Sequence, residues 1–95
     1  MARHLVVVSY DIADDRDRTR LSNMLCSYGQ RVQYSVFECW LEEGEVAELC
    51  ERLGRYVSGD GDSVRVYRLC SLCAGNVETI GASAPPDEPP EHWVV

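Results

Sequence analysis

The sequence predicts an α+β domain in which one antiparallel β-sheet carries two helices on a single face. Three observations lead there. A β-branched run, Leu5-Val6-Val7-Val8-Ser9-Tyr10, opens the chain; two stretches with helical spacing of apolar residues follow; and after each comes a stretch with period-two alternation. The 95 residues suit one domain. A chain this short buries only roughly 60 to 65 % of its unfolded surface, so association with a second copy would add stability.

The opening run lacks alternation, the pattern of a central strand covered on both faces. Asp11-Ile12-Ala13-Asp14 ends it. Asp14 is a natural N-cap, and Asp15 and Asp17 stand in the first turn of a helix, where the positive end of the helix dipole favours them. Leu21, Met24, Leu25 and Tyr28 recur at i, i+3, i+4 and i+7, and Gly29 stops the helix. From Gln30 to Leu41, Val32, Tyr34 and Val36 alternate with Arg31, Gln33 and Ser35. Twelve residues exceed the usual strand of about 5 or 6, so a bend or tight hairpin is expected inside the segment, although no Gly or Pro marks it. Val46, Leu49, Cys50, Leu53 and Val57 then define a second helix with an acidic outer face. Ser58 to Asp62 is loop chemistry. Ser63 to Leu69 alternates again as a strand, and Val77 to Ile80 is expected to form one more short strand, at an edge or paired with another subunit.

The resulting order, βαββαβ plus a short C-terminal strand, fits a sandwich of the ferredoxin-like kind over residues 1–81. Residues 82–95 hold all four prolines and three acids and are expected to form a mobile, acidic tail. One sheet face would remain open, and such a face is commonly closed by dimerisation.

Composition narrows the function classes. No span approaches the roughly 20 apolar residues that cross a bilayer, and the N-terminal run is too short for a signal peptide, so no membrane association is expected and a cytoplasmic, unprocessed protein is. The five cysteines, 26, 39, 50, 70 and 73, are an odd number at apolar positions, which suits a reducing compartment. Cys70-Ser71-Leu72-Cys73 lacks the two further ligands of a zinc site. A redox pair is also disfavoured there, since Cys70 follows a strand pattern instead of opening a helix. The net charge of −7 weighs against nucleic acid, but its distribution is uneven: +1 over residues 1–37, −6 over 38–62, +2 over 63–77 and −4 over 78–95. An anion-binding surface near the N-terminal arginines is compatible with that pattern.

Asp11 is the foremost candidate. It sits at the carboxyl end of the central strand, where side chains are rigidly held. One carboxylate alone cannot hold Mg²⁺, and a symmetric dimer would supply a second. Capping of a turn by the short aspartate side chain is an equally good account of the residue. Arg16, Arg18 and Arg20 in the first turns of the helix, with Arg31 in the next strand, have the forked geometry that suits phosphate, beside the N–H groups of a helix start. A solvated face, with these arginines paired to Asp14, Asp15 and Asp17, accounts for them at least as well. His4 and His92 have no spaced partners, so a nucleophile–histidine system has no support.

Tyr10-Asp11-Ile12, then Arg16, Arg18 and Arg20, then Tyr28-Gly29, then Arg31-Val32-Gln33-Tyr34-Ser35-Val36-Phe37-Glu38 form an ordered string that resembles the CRISPR-associated Cas-two family. Asp62 to Tyr67, with Cys70 and Cys73, fits its later strand. The resemblance spans Leu5 to Cys73. It implies a homodimer in which Asp11 of both subunits shares Mg²⁺ or Mn²⁺ across the two-fold axis and serves metal-dependent cleavage of phosphodiester bonds in RNA or DNA. Arg16, Arg18 and Arg31 would hold phosphate, and Tyr10, Ser35 and Phe37 would lie near the site. It also implies a role as the central dimer that bridges Cas-one integrase subunits during spacer acquisition, in which the protein's own cleavage is dispensable. A non-catalytic scaffold and a stand-alone toxin-type ribonuclease are the alternatives. Val77 to Val95, beyond the resemblance, is expected to exchange a strand and dock on the integrase.

Overall fold

The computed structural model describes residues 3–81, so the Pro-rich segment 82–95 lies outside the described residues. The elements are β1 (His4–Asp11), α1 (Asp15–Leu25), β2 (Gln30–Gln33), β3 (Val36–Leu41), α2 (Glu43–Gly54), β4 (Ser63–Leu69) and a single turn, α3 (Ser71–Ala74). The strands lie in the order β2-β3-β1-β4, and all three neighbouring pairs are antiparallel. This is the predicted ferredoxin-like arrangement, with β1 in the interior of the sheet.

The two helices pack on one sheet face because the strands put their apolar residues there. Val6, Val8 and Tyr10 of β1 and Phe37, Cys39 and Leu41 of β3 join Leu21, Met24 and Leu25 of α1 and Val46, Leu49 and Leu53 of α2 in one buried cluster. Each such large side chain contributes about 1.5 to 3 kcal/mol. The helix caps, worth about 1 kcal/mol each, set boundaries and do not hold the layers together. Asp14 caps α1 as predicted, its carboxylate accepting from Asp17 N–H at 2.9 Å. Glu42 and Glu45 form a reciprocal capping box on α2.

The predicted hairpin within Gln30 to Leu41 is present, with its turn at Tyr34 and Ser35. Gln33 pairs with Val36 across this turn, and within β2 the register with β3 slips between Arg31 and Gln33, a bulge.

Three expectations change. Gly29 does not end α1 through left-handed backbone, since Gly81 is the one glycine with positive φ among the described residues. Gly29 is needed for space instead: a Cβ there would lie 2.1 Å from the Glu38 carbonyl oxygen and 2.8 Å from Cys39 Cα. Val77 to Ile80 forms no strand in the single chain; the segment leaves α3 directly, and Ile80 is 89 % exposed. A strand that short requires a ladder to join. Lastly, Cys70 does open a helix, because it caps α3 immediately after β4.

Among the described residues, the second sheet face is covered at one end only. Leu5 is buried there, with α3 lying against β1 and β4, whereas Val7 and Ser9 are half-buried and Asp11 is exposed. Among the described residues, the prediction that β1 is covered on both faces therefore holds only near His4 and Leu5.

Candidate active site and phosphate pocket

Side-chain alternation decides how the candidate residues are divided. Tyr10 and Asp11 are sequential on β1 and so project to opposite faces of the sheet. Tyr10 enters the helix-covered core, 4 % exposed, and its ring stacks on the buried Phe37 ring at 6.4 Å between centroids. Asp11 projects onto the open face. In the antiparallel register Asp11 pairs with Ser63 and Ser9 with Arg65, so β4 sets Ser63, Arg65 and Tyr67 beside β1's Ser9 and Asp11. These residues and Tyr10 line a polar cavity of about 260 Å³. Arg65 donates to the Tyr67 hydroxyl at 3.4 Å, and that contact raises the guanidinium's already high pKa.

Two of the three arginines predicted to bind phosphate, Arg18 and Arg31, belong to a second pocket at the same end of β1 but on the helix side. Its volume is about 220 Å³, and its walls are Tyr10, Arg18, Thr19, Ser22, Asn23, Arg31 and Tyr34. Arg31 donates to Ser22 Oγ, and its guanidinium lies 5.5 Å from the Phe37 ring centre and 6.0 Å from that of Tyr34. Arg18 donates to the carbonyl oxygens of Ile12 at 3.0 Å and Ala13 at 3.4 Å and pairs with Asp15, which raises its pKa. It thereby fastens the strand-to-helix loop that follows Asp11. Arg16 is exposed on the first turn of α1. Ser35 is half-buried in the β2–β3 turn, and its carbonyl accepts from Tyr10 N–H at 3.1 Å.

The structure thus brings Tyr10, Arg18 and Arg31 together in one pocket, with Tyr10 and Arg31 against Phe37, and places Asp11 on the reverse of the sheet. Sequence reasoning passed over Ser63, Arg65 and Tyr67 beside Asp11, and Thr19, Ser22 and Asn23 beside the arginines. The alternation of β4 put the first three on one face. Only the strand register brings that face to Asp11.

A magnesium ion tests the donor set. The described residues contain no group of three or more His, Cys, Asp or Glu side chains able to hold a metal. The Asp11 cavity offers one carboxylate, two serine hydroxyls and a tyrosine hydroxyl beside a fixed cation, Arg65. Mg²⁺ keeps several waters and takes only one or two carboxylates from protein. These residues fit a hydrated ion shared by two facing copies of Asp11, and the described residues of one chain do not make a complete site.

Residues 4–77 match the family model for CRISPR associated protein Cas2. The chain belongs to the Cas2 family. A relative from Chloroflexus aurantiacus, named CRISPR-associated endoribonuclease Cas2 1, is 39 % identical over 94 % of this chain and 97 % of its own. A second, from Thermus thermophilus and named CRISPR-associated endonuclease Cas2 2, is 42 % identical over 92 % of each chain. Among solved structures, a chain of a partial Cas6-RT-Cas1–Cas2 complex superposes with a TM-score of 0.69 at 25 % identity, covering 81 % of this chain and 90 % of that one. The Cas2 match accounts for the ordered string from Tyr10 to Glu38. It ends at Val77, where the short-strand expectation also fails within the single chain.

Proposed function

We propose that this Cas2 chain acts as a homodimer in CRISPR spacer acquisition, bridging Cas1 integrase subunits, and that the dimer carries a divalent-cation-dependent endonuclease centre at paired Asp11 residues. The observation that carries the second part is the position of Asp11: exposed, at the rigid end of the central strand, on the sheet face that the described residues leave open. Two open faces packed together would bury Val7 and Ser9 and bring two copies of Asp11 together. Bound there, Mg²⁺ or Mn²⁺ would supply Lewis-acid charge and lower the pKa of a coordinated water. Ser9 and Ser63 border the carboxylate and offer hydroxyl donors, and Arg65 supplies positive charge for a phosphate held in the same cavity. On the helix side, Arg31 and Arg18, with Arg16 on the adjoining turn of α1, are placed to take backbone phosphates further along the strand.

The substrate class is nucleic acid. The relatives' names divide between endoribonuclease and endonuclease, so both RNA and DNA belong in the assay. The role as a bridge for Cas1 is supported by the likeness to a Cas1–Cas2 complex chain. The decisive experiment compares wild type with Asp11→Asn for Mg²⁺-dependent cleavage of RNA and DNA, for spacer integration with Cas1, and for dimer mass. Loss of cleavage with dimer and integration intact supports both parts of the reading. Cleavage at the wild-type rate removes Asp11 as the centre.

A further inference from the structure

The loop before β4 reaches back to the loop after Asp11 through one side chain, Asp62. Its Oδ1 accepts the Ala13 N–H at 3.0 Å, across forty-nine positions of sequence. Its Oδ2 accepts from Gly59 N–H at 2.9 Å and Ser58 N–H at 3.4 Å, closing its own loop. Ser58 in turn donates to Asp17 Oδ2 at 3.4 Å, so α1 is tied to the same loop. From the other side, Arg18 holds the carbonyl oxygens of Ile12 and Ala13. The segment Ile12-Ala13 between Asp11 and the helix cap is therefore gripped on its N–H side by a carboxylate and on its C=O side by a guanidinium. A charged acceptor on a backbone N–H forms about twice as strong a bond as a neutral one. Such a grip serves placement more than stability, since both charged groups remain partly open to solvent, which screens them.

We infer that Asp62 is a positioning residue for Asp11: by holding Ala13 N–H it fixes where β1 ends, and so fixes the direction of the Asp11 carboxylate on the open face. The inference rests on the reading of Asp11 as a cation ligand. Ser63, the next residue, pairs directly with Asp11 in the β1–β4 ladder, so the tether and the ladder locate the same carboxylate from two directions.

The test uses the full-length protein and Mn²⁺ as the probe, followed by electron paramagnetic resonance, with amide hydrogen exchange and thermal melting on the same samples. Asp62→Ala removes every acceptor. It should expose the Ala13 amide to exchange and weaken Mn²⁺ binding by about 10-fold, the usual lower cost of losing a group that orients a metal ligand. Asp62→Asn keeps one acceptor oxygen and should fall between Asp62→Ala and wild type. Glu42→Ala, which opens the capping box of α2 at the far end of the sheet, serves as the control. It should lose stability without a change in Mn²⁺ affinity. Wild-type Mn²⁺ affinity in Asp62→Ala, while Asp11→Asn binds none, overturns the inference and leaves the reading of Asp11 standing. Continued protection of the Ala13 amide in Asp62→Ala overturns it as well. Undiminished Mn²⁺ binding by Asp11→Asn defeats the parent reading and this inference with it.

Discussion

Substituting Gly29 by Ala introduces a single methyl group where the structure has no room for one. The added Cβ would stand 2.1 Å from the Glu38 carbonyl oxygen, 2.7 Å from Cys39 Sγ and 2.8 Å from Cys39 Cα. Two of those atoms are backbone of β3, which is paired with β2 on one side and β1 on the other, so the strand cannot retreat without loosening a ladder. Overpacking of this kind costs about 1 to 3 kcal/mol, and obstruction by backbone puts the site at the upper end. The entropic gain from replacing glycine, about 0.4 to 1 kcal/mol, is too small to offset it. A loss of about 3 kcal/mol is a large share of the total stability of roughly 5 to 14 kcal/mol expected of a domain this size. At about 4 to 8 °C per kcal/mol, the melting temperature should fall by about 12 to 24 °C. Thermal melts followed by circular dichroism, with urea midpoints as a check, measure this directly. A fall of less than about 4 °C would mean that the α1-to-β2 connection repacks freely, and the steric account of Gly29 would then be wrong.

Other outcomes follow from the same contacts. Phe37→Ala should cost about 3 to 5 kcal/mol in urea unfolding, because the ring is fully buried against Tyr10 and carries the Arg31 guanidinium. Hydrogen bonds from Ala13 and Gly59 hold the Asp62 carboxyl below its usual value of 3.8. A depressed folded pKa contributes stability that is present above the unfolded value and lost as pH falls through the folded one, so the melting-temperature gap between wild type and Asp62→Asn should shrink once pH drops below 3.8. A constant gap down to the acid limit would assign the clamp to something other than the carboxylate. For the thiols, burial pushes Cys39 up to about 11, while the Cys73 N–H and thiol lower Cys70. Iodoacetamide in limiting amounts should therefore label Cys70 first and Cys39 last, as read by peptide mass mapping; early labelling of Cys39 would show that the core opens.

The layers were legible because each is encoded locally. The spacing of Leu21, Met24 and Leu25 defines a buried stripe, Asp14 marks the start of α1, and the alternation of Ser63 to Leu69 marks β4. The hairpin position was not legible, since no Gly or Pro marks the two-residue turn at Tyr34 and Ser35. The role of Gly29 was misread for a related reason: its constraint comes from Glu38 and Cys39, residues that reach it only after β3 pairs back. Asp11 was legible as a strand-end carboxylate. Its surroundings were not, because Arg65 and Tyr67 are more than fifty positions away and depend on register. Tyr10 and Asp11 looked like one motif in sequence, whereas the pleat sends them to opposite faces.

That separation also bears on the charge. Around the carboxyl end of β1 stand Arg16, Arg18, Arg31 and Arg65, against Asp11, Asp14, Asp15, Asp17 and Asp62. Most of these acids are engaged: Asp14 and Asp62 by backbone N–H groups, Asp15 by Arg18, Asp17 by Ser58. Two glutamates at the start of α2 lie elsewhere, Glu42 and Glu43 facing Arg3, His4 and Arg68 at the opposite end of β1. Eight strand residues span roughly 24 Å, about three times the screening length of 8 Å at physiological salt, so those acids weigh little on a phosphate at Asp11. The net charge of −7 is therefore a poor guide to what this end of the sheet binds. With four arginines and five aspartates in near balance, a divalent cation bound at Asp11, as proposed, would decide the local sign and would link nucleic-acid affinity to cation occupancy.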